Sequence, residues 1–93
     1  MSEERAIECL ISGRVTDVMF RDFVCRRARR LGLVGTVENT PIRQVRVLAQ
    51  GDEASLRQLI SYLNRGPLFS KVGKVETVWR EPTSGFKSFK ILY

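Results

Sequence analysis

The spacing of apolar positions changes several times along the chain, and each change marks a new element. Over residues 6–12, Ile7, Cys9 and Ile11 alternate with Glu8, Leu10 and Ser12, which puts those three on one face of a strand ending at Gly13. From Phe20 to Leu31 the period lengthens: Phe20, Phe23, Val24, Ala28 and Leu31 recur at helical spacing, with Arg21, Asp22, Arg26, Arg29 and Arg30 largely off the stripe. An amphipathic helix closed by Gly32 is predicted there. Strands are expected at about 33–39 and from Gln44 to Ala49, joined as a hairpin by the turn chemistry of Asn39-Thr40-Pro41. Gly51-Asp52 supplies a turn and an N-cap for a second helix, striped by Leu56, Leu59, Ile60 and Leu63 and stopped by Gly66-Pro67. The last third reads as two strands, at about 71–80 and 86–92, on either side of Pro82-Thr83-Ser84-Gly85, with Phe89, Ile91 and Tyr93 sharing a face.

The order βαββαβ with an added C-terminal strand predicts an α+β fold of the ferredoxin-like, split βαβ kind, an antiparallel sheet with two helices on one face. No repeat or linker interrupts the 93 residues, so one domain over 1–93 is expected. This architecture serves many functions, so the residues themselves must point to one.

Composition narrows the chemistry. The chain has no histidine, which excludes Ser-His-Asp and Cys-His catalysis and most zinc sites; neither a metal nor a cofactor is expected. Cys9 and Cys25 form no C-x-x-C pair and read as buried, reduced thiols. No apolar run is long enough to span a membrane, and Ser2-Glu3-Glu4 is unlike the start of a signal peptide. A cytoplasmic protein with no membrane partner is therefore expected, and, separately, a monomer. The formal net charge of +6 points to an anionic ligand, without separating a small phosphate from nucleic acid.

Gly13-Arg14-Val15-Thr16-Asp17-Val18-Met19 leads from a strand into a helix N-terminus, where free backbone N–H groups and the helix dipole favour an anion. Arg21 lies in the first turn of that helix, where a cation opposes the dipole. A phosphate bound by its guanidinium together with loop amides would reconcile the two. The plainer reading points Arg21 into solvent or pairs it with Asp17 or Glu38.

The run Gly13-Arg14-Val15-Thr16-Asp17-Val18-Met19-Phe20-Arg21 resembles the acylphosphatase signature G-R-V-Q-G-V-x-F-R. Ala28-x-x-Leu31-Gly32-Leu33-x-Gly35-x-Val37-x-Asn39 resembles the family's A-x-x-L-G-L-x-G-W-V-R-N stretch, and Gly66-Pro67 and Phe89-x-Ile91-x-Tyr93 resemble its C-terminal half. The resemblance implies metal-free hydrolysis of a small acyl phosphate to a carboxylate and inorganic phosphate. Arg21 and the loop Val15, Thr16, Asp17, Val18, Met19 and Phe20 would bind the phosphoryl group, and Asn39 would orient the attacking water. An acyl phosphate has a good leaving group, so positioning and charge stabilisation can suffice.

Thr16 and Asp17 stand where the family has Q-G, and Pro41-Ile42-Arg43 where it usually has a D-G turn. Aspartate tolerates a left-handed backbone less well than glycine and brings a negative charge toward a negative substrate, so weakened activity is expected unless Asp17 turns outward to Arg14. The alternative is a weak or inactive module that binds an anion or nucleic acid through Arg26, Arg27, Arg29 and Arg30. It is not favoured, because a basic run without interleaved aromatics is ordinarily a solvated helix face. Trp79 and Tyr93 read as sheet or core aromatics.

Overall fold

The computed structural model describes residues 4–67 and 70–93. Strands β1 (Glu4–Arg14), β2 (Val34–Asn39), β3 (Val45–Asp52), β4 (Lys71–Arg80) and β5 (Phe89–Leu92) form one sheet in the order β4-β1-β3-β2-β5. Helices α1 (Val18–Arg30) and α2 (Glu53–Arg65) pack on one of its faces. Register aligns the alternating residues predicted from the sequence: Thr77, Cys9, Val47, Val37 and Ile91 form one row across all five strands, and Trp79, Ile7, Ala49, Gly35 and Phe89 the next. Against these rows α1 buries Phe20, Val24, Cys25 and Ala28, and α2 buries Leu56, Leu59 and Leu63. Each fully buried Leu or Phe side chain contributes about 1.5–3 kcal/mol.

Two details differ from the sequence expectation. Phe23, expected in the buried stripe of α1, sits half-exposed against Tyr62 of α2, their rings edge-on at 6.3 Å, while Cys25 completes the stripe. The sheet, moreover, is mixed. β1 through β4 pair antiparallel, but β5 lies parallel to β2. The cause is directional: β1 and β2 both run opposite to β3, β4 runs opposite to β1, and a chain reversing after β4 therefore reaches the free edge of β2 in the same direction as β2. The connection between β4 and β5 is pinned by Gln50, whose side-chain amide donates to the Thr83 carbonyl at 2.7 Å and accepts from the Thr83 N–H at 2.9 Å.

Backbone requirements appear at two glycines beside α1. At Gly13 (φ +123°) a Cβ would lie 2.2 Å from the Lys71 carbonyl oxygen, so only glycine permits the irregular step between β1 and β4 that releases the chain into the next loop. Gly32 (φ +74°) closes α1: its N–H donates to the Arg29 carbonyl at 3.0 Å, and the Leu33 N–H to that of Ala28 at 2.9 Å.

On the helix-free face Glu8 accepts hydrogen bonds from Arg46 and Arg80. Burial alone would raise its pKa, but these two guanidinium groups outweigh burial and hold the carboxyl below its usual range. Cys9 and Cys25 are both buried free thiols, each with its pKa raised chiefly by desolvation.

Candidate active site

β1, β2 and β5 run in one direction, so their C-terminal ends gather at one end of the sheet, where the loop after β1 also delivers the N-terminus of α1. The residues singled out from the sequence converge there. Asn39 ends β2 opposite Val45, which puts it in the row of Ile11 and Val75 on the helix-covered face. Its Nδ2 donates to the Thr16 carbonyl at 2.9 Å. A carbonyl can only accept, so the amide must turn Nδ2 to Thr16 and leave Oδ1 facing away. The loop before α1 is thus tied to the end of β2.

Arg21 is half-buried on α1. Its Nε is enclosed without a hydrogen-bond partner among the described residues. Leaving a buried charged donor unpaired costs more than the ~1–3 kcal/mol of a neutral group, so the placement calls for a ligand or a function. The simpler pairings weighed from the sequence are absent among the described residues: Glu38 lies 3.7 Å from Arg46, and Arg21 makes no ion pair.

Asp17 is where the geometry departs most from expectation. It neither strains the backbone nor turns outward to Arg14. Its φ is −77° and ψ 163°, an ordinary extended conformation, so position 17 needs no glycine. Its carboxylate N-caps α1, Oδ1 accepting from the Met19 N–H at 2.8 Å and the Phe20 N–H at 3.3 Å. Two of the amides expected to face an anion are therefore taken by the chain's own carboxylate. Of the other loop residues, Val15 and Phe20 bury their side chains in the core, Thr16 is half-buried, and Val18 and Met19 are exposed.

Tyr93 reads from the sequence as a sheet or core aromatic, and its contact with Arg21 is not foreseen there. It lies beyond the end of β5, is 93% exposed rather than core, and presents its ring 5.6 Å from the Arg21 guanidinium carbon, a cation–π contact. Period-two spacing puts Tyr93 on a face with Phe89 and Ile91 but is silent on the direction of β5, and its parallel course is what brings Tyr93 to Arg21.

The acylphosphatase family model matches residues 7–91. The chain belongs to the acylphosphatase family. It is 44% identical over 85 residues to an acylphosphatase of Deinococcus radiodurans, with 91% of this chain and 97% of the relative covered. An acylphosphatase of Frankia casuarinae is 40% identical over 80 residues, covering 86% and 90%. The crystal structure of acylphosphatase from Bacillus subtilis superimposes with a TM-score of 0.90 at 31% identity, covering 96% of this chain and 99% of that one.

Membership in the family supports acyl-phosphate hydrolysis and a small phosphate-type substrate at the level of the family. Among the described residues, no three or more His, Cys, Asp or Glu side chains gather to hold a metal ion, and no helix is long and apolar enough to cross a membrane.

Proposed function

We propose that this chain hydrolyses acyl phosphates without a metal, with Arg21 and the free amides of the loop binding the phosphoryl group and Asn39 orienting the water. The observation that supports this most is the enclosed, unpartnered Nε of Arg21 beside a helix N-terminus. A phosphoryl oxygen accepting from it satisfies the donor while the guanidinium offsets the charge on the transferring group. Because Asp17 holds the Met19 and Phe20 N–H groups, the amides left to the substrate are those of Val15 to Val18.

Water attacks phosphorus as the bond from phosphorus to the bridging acyl oxygen breaks. In charges, R–CO–OPO₃²⁻ and H₂O give R–COO⁻ and H₂PO₄⁻. The leaving carboxylate is a weak base and needs no proton from the protein, which is why a chain without histidine can do this chemistry. Asn39 fits an orienting role: with Nδ2 committed to Thr16, its Oδ1 accepts from the water and directs a lone pair at phosphorus. An amide cannot take a proton, so both water protons finish on the phosphate product.

Steady-state hydrolysis of benzoyl phosphate by the wild type and Arg21→Ala tests the reading. The variant should lose at least about a hundredfold in kcat/KM and its affinity for inorganic phosphate while staying folded. Hydrolysis at the wild-type rate by Arg21→Ala would overturn the assignment.

A further inference from the structure

The arginines of α1 do not form one solvated face. Arg29 turns toward the sheet, its Nε donating to the Phe89 carbonyl at 2.9 Å. Arg26, Arg27 and Arg30, with Met19 and Phe23, line a groove of about 310 Å³ on the outer side of the helix. Beside this groove, tertiary packing sets an aromatic that the primary sequence places far away. Tyr62 of α2 lies under Arg27, with 4.5 Å from guanidinium carbon to ring centroid, while Arg27 also covers Phe23 at 5.4 Å and Arg65 approaches Tyr62 at 5.4 Å. Four guanidinium groups and two aromatic rings thus adjoin on one surface, and among the described residues Asp22, bonded to Arg26 at 2.9 Å, is the one carboxylate lining the groove.

We infer that this basic groove along α1, with the adjoining Tyr62 and Arg65 of α2, binds single-stranded nucleic acid, independently of the phosphoryl site. Arg26 and Arg30 are four residues apart, a rise of about 6 Å on one helix face, and so can follow successive phosphates of an extended strand. Arg27 lies over Tyr62 at 4.5 Å and beside Phe23 at 5.4 Å, the two rings edge-on to each other rather than on opposite sides of it, and is still half-exposed, so it offers a planar cation on which a base stacks. Stacking separates this partner from other polyanions, because neither polyphosphate nor an acidic peptide has a π face to set against Arg27 and the rings. A duplex is disfavoured for the same reason, its base faces being already stacked. The groove also supplies the interleaving of basic and aromatic groups whose absence along the sequence counts against a nucleic-acid role.

The test is fluorescence anisotropy with a labelled single-stranded oligonucleotide of about twelve nucleotides, with polyphosphate, polyglutamate and the matching duplex as competitors. If three phosphates are neutralised, affinity should fall roughly twentyfold as salt rises from about 50 to about 200 mM. Arg26→Glu with Arg30→Glu should weaken binding at least about tenfold, and Tyr62→Leu about fivefold or more, while Tyr62→Phe retains it. Far-UV circular dichroism and benzoyl phosphate hydrolysis should be unchanged in the charge-reversed protein. Salt-insensitive or undetectable binding overturns the inference, as does equal competition by polyphosphate, polyglutamate or duplex. Wild-type affinity in Tyr62→Leu overturns the stacking on which the choice of single strands rests.

Discussion

Replacing Asp17 probes the site most sharply, because its carboxylate does two separable things. It holds the Met19 and Phe20 N–H groups at 2.8 and 3.3 Å, and it keeps a negative charge on the helix N-terminus where the phosphoryl group is proposed to bind. Asp17→Asn removes the charge and keeps an oxygen to cap the amides; Asp17→Gly removes both. For a singly charged phosphate at roughly 6 Å, the repulsion is about 3 kcal/mol at an effective dielectric near 20 and about 0.7 kcal/mol in bulk water. Asp17 is exposed, so a value between these limits applies, and Asp17→Asn should tighten inorganic phosphate binding roughly tenfold. Asp17→Gly should tighten it further, by as much as the freed amides add. Because φ at position 17 is already −77°, none of that gain is relief of backbone strain. Stability should move the other way: the Asn variant loses a charge–dipole term of about 0.3–1 kcal/mol, and the Gly variant a few tenths more through its weaker cap. The assay is the inhibition constant of phosphate against benzoyl phosphate hydrolysis, measured from about 0.01 to about 1 M salt. Over that range the screening length drops from about 30 to about 3 Å, and the charge effect should shrink with it. Inhibition constants in both variants within twofold of wild type, with Arg21→Ala inactive, would show that the carboxylate lies away from the phosphoryl group. A gain in Asp17→Gly alone would mean that occupied amides, not charge, limit binding.

Asn39→Ala should lower turnover roughly a hundredfold with the phosphate inhibition constant within about threefold, and lost affinity at normal turnover would refute the water-orienting role. Glu8→Gln should cost about 1 kcal/mol at neutral pH in urea unfolding, a value kept small because Arg46 and Arg80 are 40% and 57% exposed. Since Glu8 has a lowered folded pKa, its contribution is full above the unfolded carboxyl value and fades as pH falls through the folded one; wild-type and variant stabilities should converge in acid, and a constant gap would refute the linkage. Arg43 has φ +62° in the β2–β3 turn, so Arg43→Gly should stabilise the protein by about 0.5–1 kcal/mol, relief of a left-handed side chain exceeding the entropy that glycine adds to the unfolded chain. Loss of stability in that variant would show that the Arg43 side chain contributes more than its backbone strain costs.

The element order, the two helices and the inward rows of the sheet were legible in the sequence because they follow from local periodicity. Ile7, Cys9 and Ile11 can share a buried face only in a strand, and Leu56, Leu59 and Leu63 only on a helix. The proposed roles of Arg21 and Asn39 came from the resemblance of their flanking motifs, not from any property of arginine or asparagine alone. Direction and handed packing decided what remained. Whether β5 runs parallel or antiparallel depends on which free edge the chain reaches after β4, a matter of topology that no spacing within residues 86–92 records; that choice put Tyr93 against Arg21. Asp17 read as a charge in a loop, and only the path of the backbone around residues 16–20 turned its carboxylate onto the Met19 and Phe20 amides as a helix cap. Arg27 and Tyr62 lie 35 residues apart in the sequence, and it is the packing of α1 against α2 that stacks them: periodicity fixes which face of a helix is buried, whereas the neighbour that face meets is set by the whole sheet beneath it.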